Sequence, residues 1–211
     1  MAFIPQPDQQ SHNLPGQLTP FVDRSHELAE ITNLLANPTC RLLTLFGPGG
    51  LGKTRLAIEA GGKLLAAYPR GIYFVPLQPL ESPDLLLPAI ADMLNFSLTD
   101  PQNLHTQLAH YLNDKKLLLI LDNSEHLLEA VPQLTELLRS AVGVKVLVTS
   151  REALNLHEEW LYQVDGLPYP AADRLEALDT FSAVQLFVQC ARRVRPGFSL
   201  DDEQASTLGH K

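Results

Sequence analysis

The sequence predicts an α/β fold: a three-layer αβα sandwich on a parallel five-stranded sheet, followed by the start of a small helical domain. Three observations carry this expectation. Short runs that are apolar throughout recur along the chain, as strands buried on both faces of a parallel sheet require. Segments with helical spacing of apolar residues separate those runs, as crossover connections do. Beyond residue 166 the strand-like runs stop and only helical patterns remain.

Each element follows in order. Residues 1–20 are rich in Pro, Gln, Asn and Gly and lack periodicity, which predicts a flexible leader or interdomain linker. The core domain is expected over 21–165. "DRSHELAEITNLLAN" puts Leu28, Ile31, Leu34 and Leu35 on one helical face, and Asn37-Pro38 closes it. "RLLTLF" (41–46) reads as the first strand, and a helix over 53–68 follows a glycine-rich turn. "IYFVPL" (72–77) is the second strand, and a helical stretch over 82–113 breaks near "TDP" (99–101). "KLLLILD" (116–122) is the third strand. "SEHLLEAVPQLTELLRSA" (124–141) reads as a helix that Pro132 kinks or divides. "VKVLVTS" (144–150) and "WLYQV" (160–164) complete the sheet. Residues 166–211 read as a partial helical domain. Its helix over 179–194 puts Ala183, Leu186, Phe187 and Cys190 on one face, and a further helix beginning at 201 stops in mid-pattern, as in a truncated domain.

Composition excludes several function classes. Of 211 residues, 45% are hydrophobic and 19% charged, which fits a folded globular chain. A formal net charge of −8 repels DNA and RNA on average, so no direct nucleic-acid contact is expected of this segment. Cys40 and Cys190 form no paired motif and read as two buried free thiols in a reducing compartment. The N-terminus lacks the pattern of a secretion signal and no apolar run reaches membrane-spanning length, which together predict a cytoplasmic protein without membrane contact. The seven histidines show no metal-ligand spacing, and no nucleophile-elbow motif occurs.

The chemistry concentrates in three stretches. "GPGGLGKT" spans Gly47, Pro48, Gly49, Gly50, Leu51, Gly52, Lys53 and Thr54 between a strand and a helix. Glycines there let the backbone curl around phosphate oxygens, and the amides and helix N-terminus supply positive potential. Lys53 is placed to reach β- and γ-phosphates, and the Thr54 hydroxyl to ligate Mg²⁺; Arg55, next on the helix, joins the nucleotide-binding set. Asp122 ends the most apolar strand, at the edge where ligands sit in open α/β sheets. It either serves Mg²⁺ opposite Thr54 or caps the following helix. Glu125 either orients an attacking water or only complements a helix dipole. Arg151, at a strand end, either senses a γ-phosphate or is a surface loop residue. The candidate catalytic set is thus Lys53, Asp122, Glu125 and Arg151, with Thr54 and Asp122 as the metal pair.

Taken together, "LTPFVDRSHELAEI", "RLLTLFGPGGLGKTRLA", "LLLILDNSEHLLE", "VKVLVTSREAL" and "SAVQLFVQCARRVRPGF" resemble the nucleotide-binding domain of signal-transduction ATPases with numerous domains, the STAND class. The nearest likeness is to the branch found in large LuxR-type and related bacterial transcriptional regulators, akin to NB-ARC domains. The resemblance implies a P-loop NTPase sheet, bound ADP or ATP with Mg²⁺, and an ADP-closed state that ATP opens, often into oligomers. It also implies adenine contacts from the "PFVDR" block through Phe21, Val22 and Arg24; Asp23 stands where the family usually has Gly. Three functions follow for comparison: a nucleotide-operated switch read by other domains of a parent protein, a multiple-turnover ATPase or phosphotransferase, and a DNA-binding regulator. The switch is the expected reading, with slow hydrolysis resetting it. The chain offers only Glu125 as a base, no evident second substrate pocket and no basic recognition helix.

Overall fold

The computed structural model describes residues 11–97, 103–125, 127–170 and 178–200. The chain divides into two compact units, one of Met1–Gly16 with His26–Val164 and one of Gln17–Ser25 with Asp165–Lys211. In the first, chain order is α1 (Ser25–Ala36), β1 (Leu42–Phe46), α2 (Lys53–Leu64), β2 (Ile72–Pro76), α3 (Leu86–Met93), α4 (Leu104–Leu112), β3 (Leu117–Asp122), α5 (Val131–Ser140), β4 (Val144–Ser150) and β5 (Glu159–Gln163). The five strands form one sheet in the order β2-β3-β4-β1-β5, parallel throughout. The predicted α/β sandwich is the observed fold.

Alternation along β3 explains the layers. Leu117, Leu119 and Leu121 join a core with Leu87 and Ile90 of α3, Leu108 and Leu112 of α4, and Leu134 and Leu137 of α5. Leu118 and Ile120 face the other way, as strand pleating demands, and α2 packs there. A Cβ on Gly61 would lie 2.8 Å from Ile120 Cδ1, so this glycine lets the helix approach the sheet closely. Lys145, alternating with buried Val144 and Val146, donates to the Leu35 carbonyl at 2.8 Å, in the last turn of α1. A cation there meets the negative end of the helix dipole.

Several expectations change on the structure. The stretch 124–141 is not one helix. A 3₁₀ turn at Leu128–Ala130 precedes α5, and Pro132 sits in the first turn of α5. There its missing N–H breaks no helical bond, so it starts the helix and neither kinks nor divides it. The break expected at 99–101 lies outside the described residues, as do residues 1–10 and 201–211. Within the leader, residues 11–13 pair with the sheet edge: Ile72 N–H donates to the Ser11 carbonyl at 3.1 Å, and His12 pairs with Ile72. The Asn13 amide donates to the Phe74 carbonyl at 2.8 Å and accepts from Phe74 N–H at 2.5 Å. One side chain thus satisfies both backbone groups of Phe74 on the β2 edge.

The second unit contains α6 (Ser182–Val194), whose buried positions are Ser182 and Val184. The apolar face predicted for this helix is not its buried face, because the contacts come from its first turn. Ser182 donates its hydroxyl to the Asp23 carboxylate, and Ala183 N–H reaches the Pro168 carbonyl at 3.2 Å. Leu186 and Phe187 are exposed, Phe187 meeting Phe198 edge-on at 5.8 Å between ring centroids. Cys40 is buried as expected, and Cys190 is exposed, which corrects the reading of two buried thiols. Among the described residues no helix is long and apolar enough to cross a membrane.

Candidate phosphate and metal site

The glycine-rich turn connects β1 to α2, with its conformation set by residues that only glycine suits. Gly47, Gly50 and Gly52 have φ of +144°, +81° and +81°, a region L side chains enter at a cost. Gly47 is also crowded: a Cβ there would lie 2.7 Å from the Val164 carbonyl oxygen. The loop therefore lies against the chain just after β5. Gly52 leads into α2 without a side-chain cap, so the first amides of α2 are not met by a cap side chain.

Lys53 closes over this loop. Its ammonium donates to the Gly47 carbonyl at 2.7 Å and the Pro48 carbonyl at 2.9 Å. Burial holds its pKa below the ordinary lysine value, opposed by the charge of Glu125, reinforced by Arg151 and opposed again by Asp122. The four residues of the predicted catalytic set thus share one electrostatic neighbourhood.

The polar centre of that neighbourhood is one carboxylate oxygen. Thr54 and Thr149 each donate a hydroxyl to Asp122 Oδ1 at 2.6 Å. Asp122 pairs in register with Thr149, and Thr149 with Leu45 of β1. Because β4 lies between β3 and β1 in the sheet, its last residues stand between the aspartate and the glycine-rich loop. Thr149 also accepts from Asn123 N–H at 3.0 Å through its hydroxyl, and from Ser124 N–H at 3.1 Å through its carbonyl. Asn123 turns the chain at φ +67°, a conformation asparagine tolerates. Sequence reasoning missed Thr149 as a site residue. Its only signal was its place in "VTSR" at a strand end.

The hard oxygen donors Thr54 Oγ1 and Asp122 suit Mg²⁺, which is commonly held by one or two protein groups together with waters and phosphate oxygens. Among the described residues no group of three His, Cys, Asp or Glu is placed to hold a metal unaided. This donor set therefore fits a metal brought with phosphates rather than a protein cage.

The remaining predicted residues fall as follows. Arg151 Nε and Glu125 Oε1 form an ion pair at 2.9 Å, with the arginine side chain 70% exposed and the glutamate 19%. Arg55 pairs with Glu59 one turn along α2, Nη2 to Oε1 at 2.9 Å. Phe21, Val22 and Arg24 belong to the second unit. There Asp23 and Arg24 adopt φ of +57° and +64°. Aspartate is among the non-glycine residues that best tolerate that region, so Asp23 fits its backbone. Its pKa is lowered by the Ser182 hydroxyl first and by the Arg24 N–H second. Arg24 is buried and donates Nη2 to the Asp165 carbonyl at 2.8 Å, while its Nη1 has no partner among the described residues. A buried guanidinium N–H without an acceptor is costly.

Comparison with known proteins identifies the family. A family model described as an AAA domain matches residues 36–156. An uncharacterized protein of Mycobacterium tuberculosis is 33% identical over 199 residues, covering 94% of this chain and 48% of that one. A second protein of that organism, provisionally named an HTH-type transcriptional regulator, is 32% identical over 170 residues, covering 80% of this chain and 18% of that one. The chain thus spans about half the length, or less, of these relatives. The crystal structure of a STAND protein with a tetratricopeptide repeat sensor from Pyrococcus horikoshii matches with a TM-score of 0.54 at 16% identity, over 92% of this chain and 28% of that one, a likeness of fold. With the family match spanning the loop, Asp122 and Thr149, the chain belongs to the AAA domain family and is a P-loop ATPase domain.

Proposed function

We propose that this chain is an ATP/ADP-operated switch module of a larger regulatory protein, reset by slow Mg²⁺-dependent ATP hydrolysis. The observation that carries this reading is the Glu125–Arg151 ion pair. Glu125 is the candidate for orienting a water, and Arg151 is the candidate for sensing a γ-phosphate. A carboxylate tied to a guanidinium is a poor base, so turnover is slow. An ion pair this exposed is worth about 0–1 kcal/mol, whereas hydrogen bonds to charged groups contribute about 1.5–3 kcal/mol. A γ-phosphate therefore outcompetes Glu125 for Arg151, and a diphosphate offers nothing to compete with.

The other residues serve binding. Backbone amides of residues 47–54 and the start of α2 cradle phosphates, Lys53 reaches the β- and γ-phosphates, and Thr54 with Asp122 would hold Mg²⁺. When bound, Mg²⁺ neutralises charge on β- and γ-oxygens. Phe21, Val22 and Arg24 would contact adenine, as the resemblance of the "PFVDR" block implies. Residues 166–211 form part of a helical lid, and the module acts in the cytoplasm on other domains of its parent protein, with nucleotide-dependent self-association. The provisional regulator name of one relative supports an output in transcription through domains outside this chain.

Arg151→Ala tests the sensing role. Its affinity for a non-hydrolysable ATP analogue should fall about 10- to 100-fold by isothermal titration, while ADP affinity stays within about twofold. Equal losses for both nucleotides would argue against sensing.

A further inference from the structure

We infer that Thr149 is a positioning residue for the metal: its hydroxyl fixes the Asp122 carboxylate so that Thr54 and Asp122 meet Mg²⁺ in one geometry. The inference rests on the reading of Asp122 as the Mg²⁺ acid and assigns a role to a residue outside the candidate set.

The argument starts from the bonds of one oxygen. Asp122 Oδ1 accepts hydroxyl protons from Thr54 and Thr149, both at 2.6 Å. Oδ2 has no donor among the described residues. Two donors on one oxygen restrain the carboxylate torsion more tightly than one bond alone does. Thr149 is itself held. It is 2% exposed, its hydroxyl accepts from Asn123 N–H at 3.0 Å, and its backbone pairs with β1 and β3 on either side. Its hydroxyl proton therefore has one direction to point, toward Asp122.

The same residue connects the metal acid to the Glu125–Arg151 pair. Thr149 O accepts Ser124 N–H at 3.1 Å, one residue before Glu125, and Arg151 follows two residues after Thr149. Partners that orient a metal ligand in this way commonly change metal affinity about 10- to 100-fold when removed. Serine at position 149 keeps the hydroxyl, while valine keeps the shape and loses it. The pair separates positioning from packing.

The test measures ADP affinity by isothermal titration across a Mg²⁺ series and in EDTA, for the full chain. Thr149→Val should leave ADP affinity in EDTA within about twofold and raise the Mg²⁺ concentration for half-maximal enhancement about 10- to 100-fold. Thr149→Ser should restore the wild-type Mg²⁺ curve to within about threefold. A wild-type Mg²⁺ curve in Thr149→Val, or a curve in Thr149→Ser as poor as that of valine, would overturn the inference. Asp122→Asn is the control that separates the two claims. If it keeps the wild-type Mg²⁺ curve, the assignment of Asp122 to Mg²⁺ fails. If it loses Mg²⁺ enhancement while Thr149→Val does not, only the role of Thr149 fails.

Discussion

Replacing Lys53 by alanine is expected to reduce the affinity for both ATP and ADP by about 100-fold or more, with little change in stability. Lys53 is the cation built into the loop, donating to the carbonyls of Gly47 and Pro48. On the proposed reading its ammonium exchanges those carbonyls for phosphate oxygens. Two charge-assisted hydrogen bonds, each worth about 1.5–3 kcal/mol, set the size of the loss. In the folded chain the loss is modest, since Pro48 is exposed and its carbonyl passes to water, only Gly47 is buried, and burial already disfavours the lysine charge. A fluorescent ADP analogue titrated against both proteins, with a thermal melt of each, checks the two halves together. Wild-type affinity in Lys53→Ala would remove the phosphate assignment.

Gly47→Ala should act on the scaffold and the site at once. At φ +144° the new Cβ meets unfavourable backbone geometry and lies 2.7 Å from the Val164 carbonyl oxygen, part of the backbone and unable to swing aside. Strain of about 1–3 kcal/mol from the dihedral alone, with overpacking of similar size, predicts a loss of about 2–4 kcal/mol of stability. Gly49→Ala is the internal comparison. Its Cβ would meet nothing within 4 Å and its φ is ordinary, so its stability should stay within about 0.5 kcal/mol of wild type. Urea denaturation of the two variants beside the parent decides this. Similar stabilities would mean that the loop does not press on the end of β5.

The fold and half of the site were legible because their signals are local. An apolar run followed by glycines and Lys-Thr carries its own strand, turn and helix, so Lys53 and Thr54 stand where the spacing puts them. Asp122 was legible because the end of a wholly apolar strand is itself a place in the fold. Thr149 was not, because its role depends on β4 inserting between β1 and β3, a fact of strand order that no window of sequence contains. The Glu125–Arg151 pair joins the tips of two neighbouring strands and was hidden for the same reason. Helical periodicity placed Leu186, Phe187 and Cys190 on one face, but it does not say whether that face is covered, and α6 is anchored at Ser182 instead. Composition misread residues 11–14, since one asparagine side chain pairing with Phe74 outweighs a linker-like background.

The switch reading is tested most directly by following steady-state ATP hydrolysis by the purified chain while identifying the nucleotide that it retains. A site whose candidate base is paired with its sensor should turn over at about 10⁻⁴ to 10⁻² per second, the range of P-loop switch proteins without an activating partner. It should also carry ADP through purification. Turnover of about one per second or faster, with no retained nucleotide, would contradict the account and make the chain a working ATPase instead.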